Sequence, residues 1–344
     1  MKLKLFTVFG FILSLCFTFY NCSDTIPDIK PIPVELNLVN NNQINSASQL
    51  GRVLFYDTHL SVNNSISCAS CHKQALGFAD NSAFSKGFEN RPTLRNTLAI
   101  VNAATSSSFF WDGRENNLTT MVLKPIFNHV EMGMEDEDAL VNRVRQLPYY
   151  YELFDKAYST HVISAGLIAN AIQSFLSEIN SGRSKFELAN GTTSNFTIQE
   201  ARGKKLFEET YKCGSCHNDS LYGSIRSFFN IGLDVNYSDN GLGLITQQSG
   251  DFGKFKAPTL RNVAVTAPYM HDGRFATLHS VLDHYASSIA AHPNLEPILK
   301  DINGDPIRMN IPETDKQDII SFLNTMTDYA LLSDPSLSNP FVIH

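Results

Sequence analysis

Four cysteines set out the chemistry open to this chain. Cys68-Ala-Ser-Cys71-His72 and Cys213-Gly-Ser-Cys216-His217 repeat one pattern: two thiols three positions apart, followed at once by an imidazole. Thiols one helical turn apart can add to the two vinyl groups of a haem, and the next residue then reaches the iron from its proximal side. A thioredoxin-like dithiol has no use for the histidine, and no βαβ pattern surrounds either motif. A zinc site could draw on the same ligand types. The other two of the six cysteines, Cys16 and Cys22, lie in or just after an apolar N-terminal stretch. Every cysteine beyond residue 22 is thus used by the repeated motif, which points to two covalently attached haem groups.

The elements that must position these motifs also come in two sets. Gly51-x-x-Leu54-Phe55 precedes the first motif and Gly203-x-x-Leu206-Phe207 the second. Pro92-Thr-Leu-Arg95-Asn96 follows the first and Pro258-Thr-Leu-Arg261-Asn262 the second. Asp112-Gly-Arg114 and Asp272-Gly-Arg274 come later in each half. Landmarks recurring in the same order predict a tandem duplication. The fold expected is mainly α, with two tandem cytochrome c-like haem domains at 40–180 and 197–330. Thr197-x-x-Glu200 is a capping box opening a helix toward the second motif. Thr314-x-x-Gln317 reads as another, with Ile319, Ile320, Leu323 and Met326 on one face. Ile168, Ile172, Phe175 and Ile179 recur at helical spacing over 164–180. Long loops are expected at 79–110 and 218–257, where sites tend to lie.

Ahead of these halves, residues 1–22 read as an export signal. Lys2 and Lys4 precede an apolar run from Leu5 to Tyr20. Either this is an ordinary cleaved signal or Cys22 becomes acylated, making a lipoprotein whose residues 23–39, with Pro27, Pro31 and Pro33, form a tether. Both readings place the mature protein outside the cytoplasm, in the periplasm, with the lipid as its only membrane contact. No later apolar run reaches the ~20 residues of a spanning helix. The 344 residues carry a net charge of −7 and are 43% hydrophobic. The acidic balance, without a basic run, argues against a nucleic-acid partner, and the apolar content against disorder.

Over residues 45–330 the chain resembles the bacterial dihaem cytochrome c peroxidases, the family that includes MauG. The resemblance rests on Gly51-Arg-Val-Leu-Phe55, Asp57-Thr-His-Leu-Ser61, both haem motifs, Phe110-Trp-Asp-Gly-Arg114, Pro125-Ile, Glu131-Met-Gly133, Lys256-Ala-Pro-Thr-Leu-Arg-Asn262 and Thr266-Ala-Pro-Tyr-Met-His-Asp-Gly273. It implies a peroxide-reactive N-terminal haem on His72 and an electron-relaying C-terminal haem on His217. It also implies that Trp111, the only tryptophan, lies between the haems and that Glu131 is the distal acid-base group. Asn96, with the carbonyls of Thr266 and Pro268, matches a calcium site. Peroxide cleavage needs a group that moves a proton to the leaving oxygen, which suits a carboxylate. By its residues alone, Glu131 also reads as one acid in an acidic loop, and Trp111 as a buried aromatic.

Two departures stand out. Where relatives carry a distal histidine after Ser-x-Gly, Ser85-Lys-Gly87 is followed by Phe88, which cannot ligate iron. The N-terminal haem is therefore expected to be open in the oxidised state, unless His59 or His129 substitutes. On the far side of the C-terminal haem, Tyr285 matches the tyrosine of MauG-type members. Leu278, Val281, Leu282 and Tyr285 share one helical face, and Leu118 to Pro125 matches Leu278 to Tyr285. Met270 and His271 are rival ligands. Methionine raises the haem potential and tyrosine lowers it.

The activity expected is reduction of hydrogen peroxide to water with electrons from a small cytochrome c or cupredoxin. The alternatives are a MauG-like oxidase acting on a partner protein and a non-catalytic dihaem electron carrier. The sequence leaves the donor's identity and the homodimer state open.

Overall fold

The computed structural model describes residues 35–38, 45–190, 192–217 and 228–342. The expected signal, Cys22 and its lipid site lie outside them, as does nearly all of the tether. Mainly helical structure is found, at 44%. Among the described residues the only sheet pairs Phe228–Phe229 with Phe255–Lys256.

The first core forms where helix Ser46–Tyr56 meets helix Ala165–Glu178. Asn45 caps the former by accepting from the Ser48 N–H at 2.8 Å. Its Leu50, Val53 and Leu54 are fully buried, at the spacing that puts them on one stripe. The second helix, capped by Ser164, answers with Ile168, Ile172 and Phe175. The two approach so closely at Gly51 that a Cβ there would sit 1.9 Å from the Ala171 carbonyl oxygen.

A second core repeats this plan. The expected capping box of Thr197 and Glu200 opens helix Ile198–Lys205, which crosses helix Glu313–Asn324. A Cβ on Gly203 would lie 1.9 Å from the Asp318 carbonyl oxygen, and one on either glycine lies 2.9 Å from a phenylalanine Cβ, Phe175 or Phe322. The later helix starts earlier than the sequence suggests. Glu313 is already inside it and Pro312 precedes it, so Thr314 does not cap. Its buried face carries Ile319, Phe322 and Leu323, with Ile320 half-buried and Met326, also buried, just past the helix end.

The loops match at one constant spacing. Asn102 and Asn262 are both left-handed, with φ of 57° and 61°. Their N–H groups donate to Ile179 and Met326, just past the two long helices, and their side-chain oxygens accept from Ser181 and Asp328. Further on, Phe110 and Met270 are left-handed at 63° and 75°, as are Gly113 and Gly273 at 69° and 66°. Phe109 bridges Glu115 as Tyr269 bridges Phe275. Trp111 and His271 therefore occupy equivalent places. This register corrects one landmark: the counterpart of Asn262 is Asn102, not Asn96, so the likeness of Pro92–Asn96 to Pro258–Asn262 is one of sequence only.

Beyond the second core the chain returns to the first. Leu331 and Leu337 belong to the first hydrophobic cluster. Arg52, 2% exposed, donates from Nε to the Ser338 carbonyl at 2.6 Å. Tyr56 donates to Leu337, Gln74 to Leu331 and Asp334, and Asn37 N–H to Pro340.

Candidate haem sites and the residues between them

The first motif begins in a short helix, Cys68–Cys71, opened by a reciprocal Ser67–Ser70 box. His72 follows it, and its Nδ1 donates to the Phe78 carbonyl at 2.9 Å. That bond fixes the tautomer and leaves Nε2 as the ring nitrogen for a metal. Burial, partly opposed by this carbonyl, lowers the His72 pKa and keeps the imidazole neutral. Burial pushes the Cys68 thiol up to about 12 and Cys71 to about 11. Among the described residues the four cysteines of the two motifs are free.

Glu131 lies in the turn after Phe127, close enough to raise the Cys68 and Cys71 pKa values. Its own carboxyl is raised by burial, with Arg114 pulling the other way. The backbone here is tightly held. Phe88 N–H donates to the Glu131 carbonyl at 2.7 Å, and a Cβ on Gly87 would meet the Val130 carbonyl oxygen at 2.0 Å. Phe88, at the place of the missing histidine, thus clamps the turn that carries Glu131. His59 is engaged through Nδ1 with the buried Asp57 at 2.7 Å, and His129 is exposed.

The second motif lies on a cavity of about 560 Å³. Cys213, Cys216 and His217 line it, with Leu278, Val281, Leu282 and Tyr285 from helix Leu278–Ser287. The shared face expected for these four is the face turned to the cavity. Burial lowers the His217 pKa to about 4, opposed by the Pro258 carbonyl. Among the described residues its Nδ1 has no well-formed hydrogen bond. Burial, then the two nearby thiols, holds the Tyr285 phenol far above its ordinary range. Met270 and His271 reach the same cavity, and so do Asn96, Thr266 and Pro268. Among the described residues no group of three His, Cys, Asp or Glu side chains is set to hold a metal ion.

Trp111 forms another part of this wall. It is buried, and its Nε1 donates to the Asn96 carbonyl at 2.8 Å. Its ring lies 6.5 Å from that of His271, which in turn stacks on Phe255 at 3.7 Å. Arg95 ties the neighbourhood together. It donates to Asp112 at 2.5 Å and in a two-pronged fashion to Asp239 at 2.6 and 2.8 Å. Sequence reasoning missed Arg95, Asp239 and Phe255, because ion pairs across long loops leave no spacing to read.

Paired thiols beside a neutral imidazole, facing a largely apolar cavity of this size, fit a covalently bound haem. Comparisons agree. A family profile described as di-haem cytochrome c peroxidase matches residues 45–193 and 201–334. The chain is 34% identical to a methylamine utilization protein MauG of Methylorubrum extorquens, over 80% of this chain and 77% of that protein. It is 29% identical to cytochrome-c peroxidase IdrP1 of a Pseudomonas species, over 93% and 91%. It superposes on the crystal structure of a MauG-like protein associated with microbial copper homeostasis with a TM-score of 0.79 and 31% identity, covering 90% of this chain and 97% of that one. The chain belongs to the di-haem cytochrome c peroxidase family.

Proposed function

We propose that this protein is an exported dihaem peroxidase that reduces hydrogen peroxide to two molecules of water, using two electrons and two protons. The observation that carries the reading is Glu131, a half-buried carboxyl of raised pKa beside the Cys68–Cys71 motif. The two halves act as tandem cytochrome c-like domains, His72 and His217 holding one haem each. Haem supplies the redox-active iron at which the peroxide bond is cleaved. Glu131 takes a proton from one peroxide oxygen and returns it to the departing one, so that water leaves rather than hydroxide. Trp111 couples the halves, and a small cytochrome c or cupredoxin delivers the electrons. Asn96 with the Thr266 and Pro268 carbonyls takes calcium, and Cys22 carries a lipid that holds the protein to a membrane facing the periplasm.

Glu131→Gln tests this reading. Proton transfer by a positioned group contributes ~10²–10⁴-fold, so steady-state peroxide reduction falls by that range while both haems remain attached. Unchanged turnover sinks the proposal.

A second reading has its own support. Tyr285 lines the cavity close enough to Cys213 and Cys216 for both thiols to raise its pKa, and a MauG protein is among the relatives. On this reading the enzyme oxidises residues of a partner protein. A long-lived two-electron-oxidised form, seen optically when peroxide meets the diferric protein, favours it; rapid decay without donor disfavours it.

A further inference from the structure

The matched loops carry a consequence for a buried lysine. Asn96 N–H donates to the His271 carbonyl at 2.7 Å, and Lys256 N–H donates to the Trp111 carbonyl at 2.8 Å. Because Trp111 and His271 are counterparts, Asn96 and Lys256 are counterparts too, each reaching across to the other half's turn. At the same constant spacing, Ser106 answers to Thr266 and Ser108 to Pro268. The three residues assigned above to calcium therefore have a mirrored set: Lys256, Ser106 and Ser108.

The mirrored set is already bonded together. Lys256 Nζ donates to the Ser106 hydroxyl at 3.0 Å and to the Ser108 carbonyl at 2.5 Å. Lys256 is 7% exposed, and among the described residues no carboxylate pairs with it. A buried ammonium without a counter-ion is costly, and burial alone pushes its pKa down to about 8. Oxygen dipoles that satisfy a hard metal cation also satisfy an ammonium, whose three protons need acceptors.

We propose that the Ser106–Ser108 turn is a second cation cradle, and that Lys256 fills it with a tethered ammonium where the other half takes a metal ion. The inference rests on the calcium reading of Asn96, Thr266 and Pro268. Each of the turns leading to Trp111 and His271 is then pinned by a cation, one exchangeable and one covalently part of the chain.

Lys256→Asn gives the cradle the side chain its counterpart has. Holo-protein equilibrated with calcium, freed of excess and analysed by mass spectrometry for metal, is expected to hold one more calcium per chain than wild type. Its melting temperature is expected to rise on adding calcium and to fall in chelator. Lys256→Met keeps the aliphatic stem but removes the charge and the donors. It is expected to be less stable than wild type, by the same margin with and without added calcium. Equal calcium content in Lys256→Asn and wild type overturns the cradle, as does a Lys256→Met variant as stable as wild type. A Lys256→Asn chain that stays unfolded in saturating calcium, while Lys256→Met folds, overturns it as well. The wild-type count reports separately on the calcium site: a count of zero refutes that assignment, while the difference between variant and wild type still decides the cradle.

Discussion

Glu131 illustrates how burial sets a residue's working range. Its carboxyl holds its proton to higher pH than a free glutamate, near 4.3. In the role proposed for it Glu131 accepts a proton from peroxide, which it does only when ionised. Activity is therefore expected to fall as pH drops through this raised pKa, with the acid limb above the ordinary carboxylate range. A pH–rate profile checks this, and Glu131→Gln should abolish that limb along with most of the rate. For the ligand proposed at the second haem, Tyr285 is the residue to alter. Its phenol is too weak an acid, so buried, to ionise unaided; bound to ferric iron it would lose its proton to the metal's charge. Tyr285→Phe is expected to convert one low-spin ferric signal to high spin in the EPR spectrum, and Tyr285→Met to raise the potential of that haem. A spectrum unchanged by Tyr285→Phe but altered by Met270→Leu would give the iron to methionine instead.

Helix crossings are where a single methyl group decides packing. Gly51 and Gly203 sit where a carbonyl of the partner helix would be 1.9 Å from an added Cβ. That oxygen is backbone, so the helices must part to admit alanine. Gly51→Ala and Gly203→Ala are each expected to cost about 1–3 kcal/mol, at the level of overpacked cores, measured as lowered thermal stability. The sequence made these helices legible because periodicity and caps are local signals: Thr197 with Glu200, and the Ile168, Ile172, Phe175 face, lie where expected. It misled at Thr314, since Pro312 already starts that helix, and at Pro92–Asn96, where a shared string of residues occupies different positions in the two halves. The two CxxCH motifs stood out because two thiols and an imidazole at fixed spacing are a local pattern. Arg95 with Asp239 was not, because 144 positions separate the partners.

The whole molecule is tied together by its end. Arg52, Tyr56 and Gln74, all of the first half, are satisfied by carbonyls between Leu331 and Ser338. Removing residues from Pro335 onward strips Arg52 of its 2.6 Å partner and leaves a buried guanidinium short of an acceptor. A loss of about 1–3 kcal/mol or more is expected. Hydrogen exchange should locate it in helices Ser46–Tyr56 and Ala165–Glu178, with helices Ile198–Lys205 and Glu313–Asn324 unaffected. Uniform loss across both cores would refute this division.

The same returning segment sets a timetable for biogenesis. The half synthesised first is expected to wait for residues 331–338 to close its core, while the second half has its helices in hand once residue 326 is made. Cys68 and Cys71 are therefore expected to stay reachable to the machinery that forms thioether bonds until that segment is in place. The first haem is the one whose attachment a premature stop near the C-terminus would leave in an unfinished house.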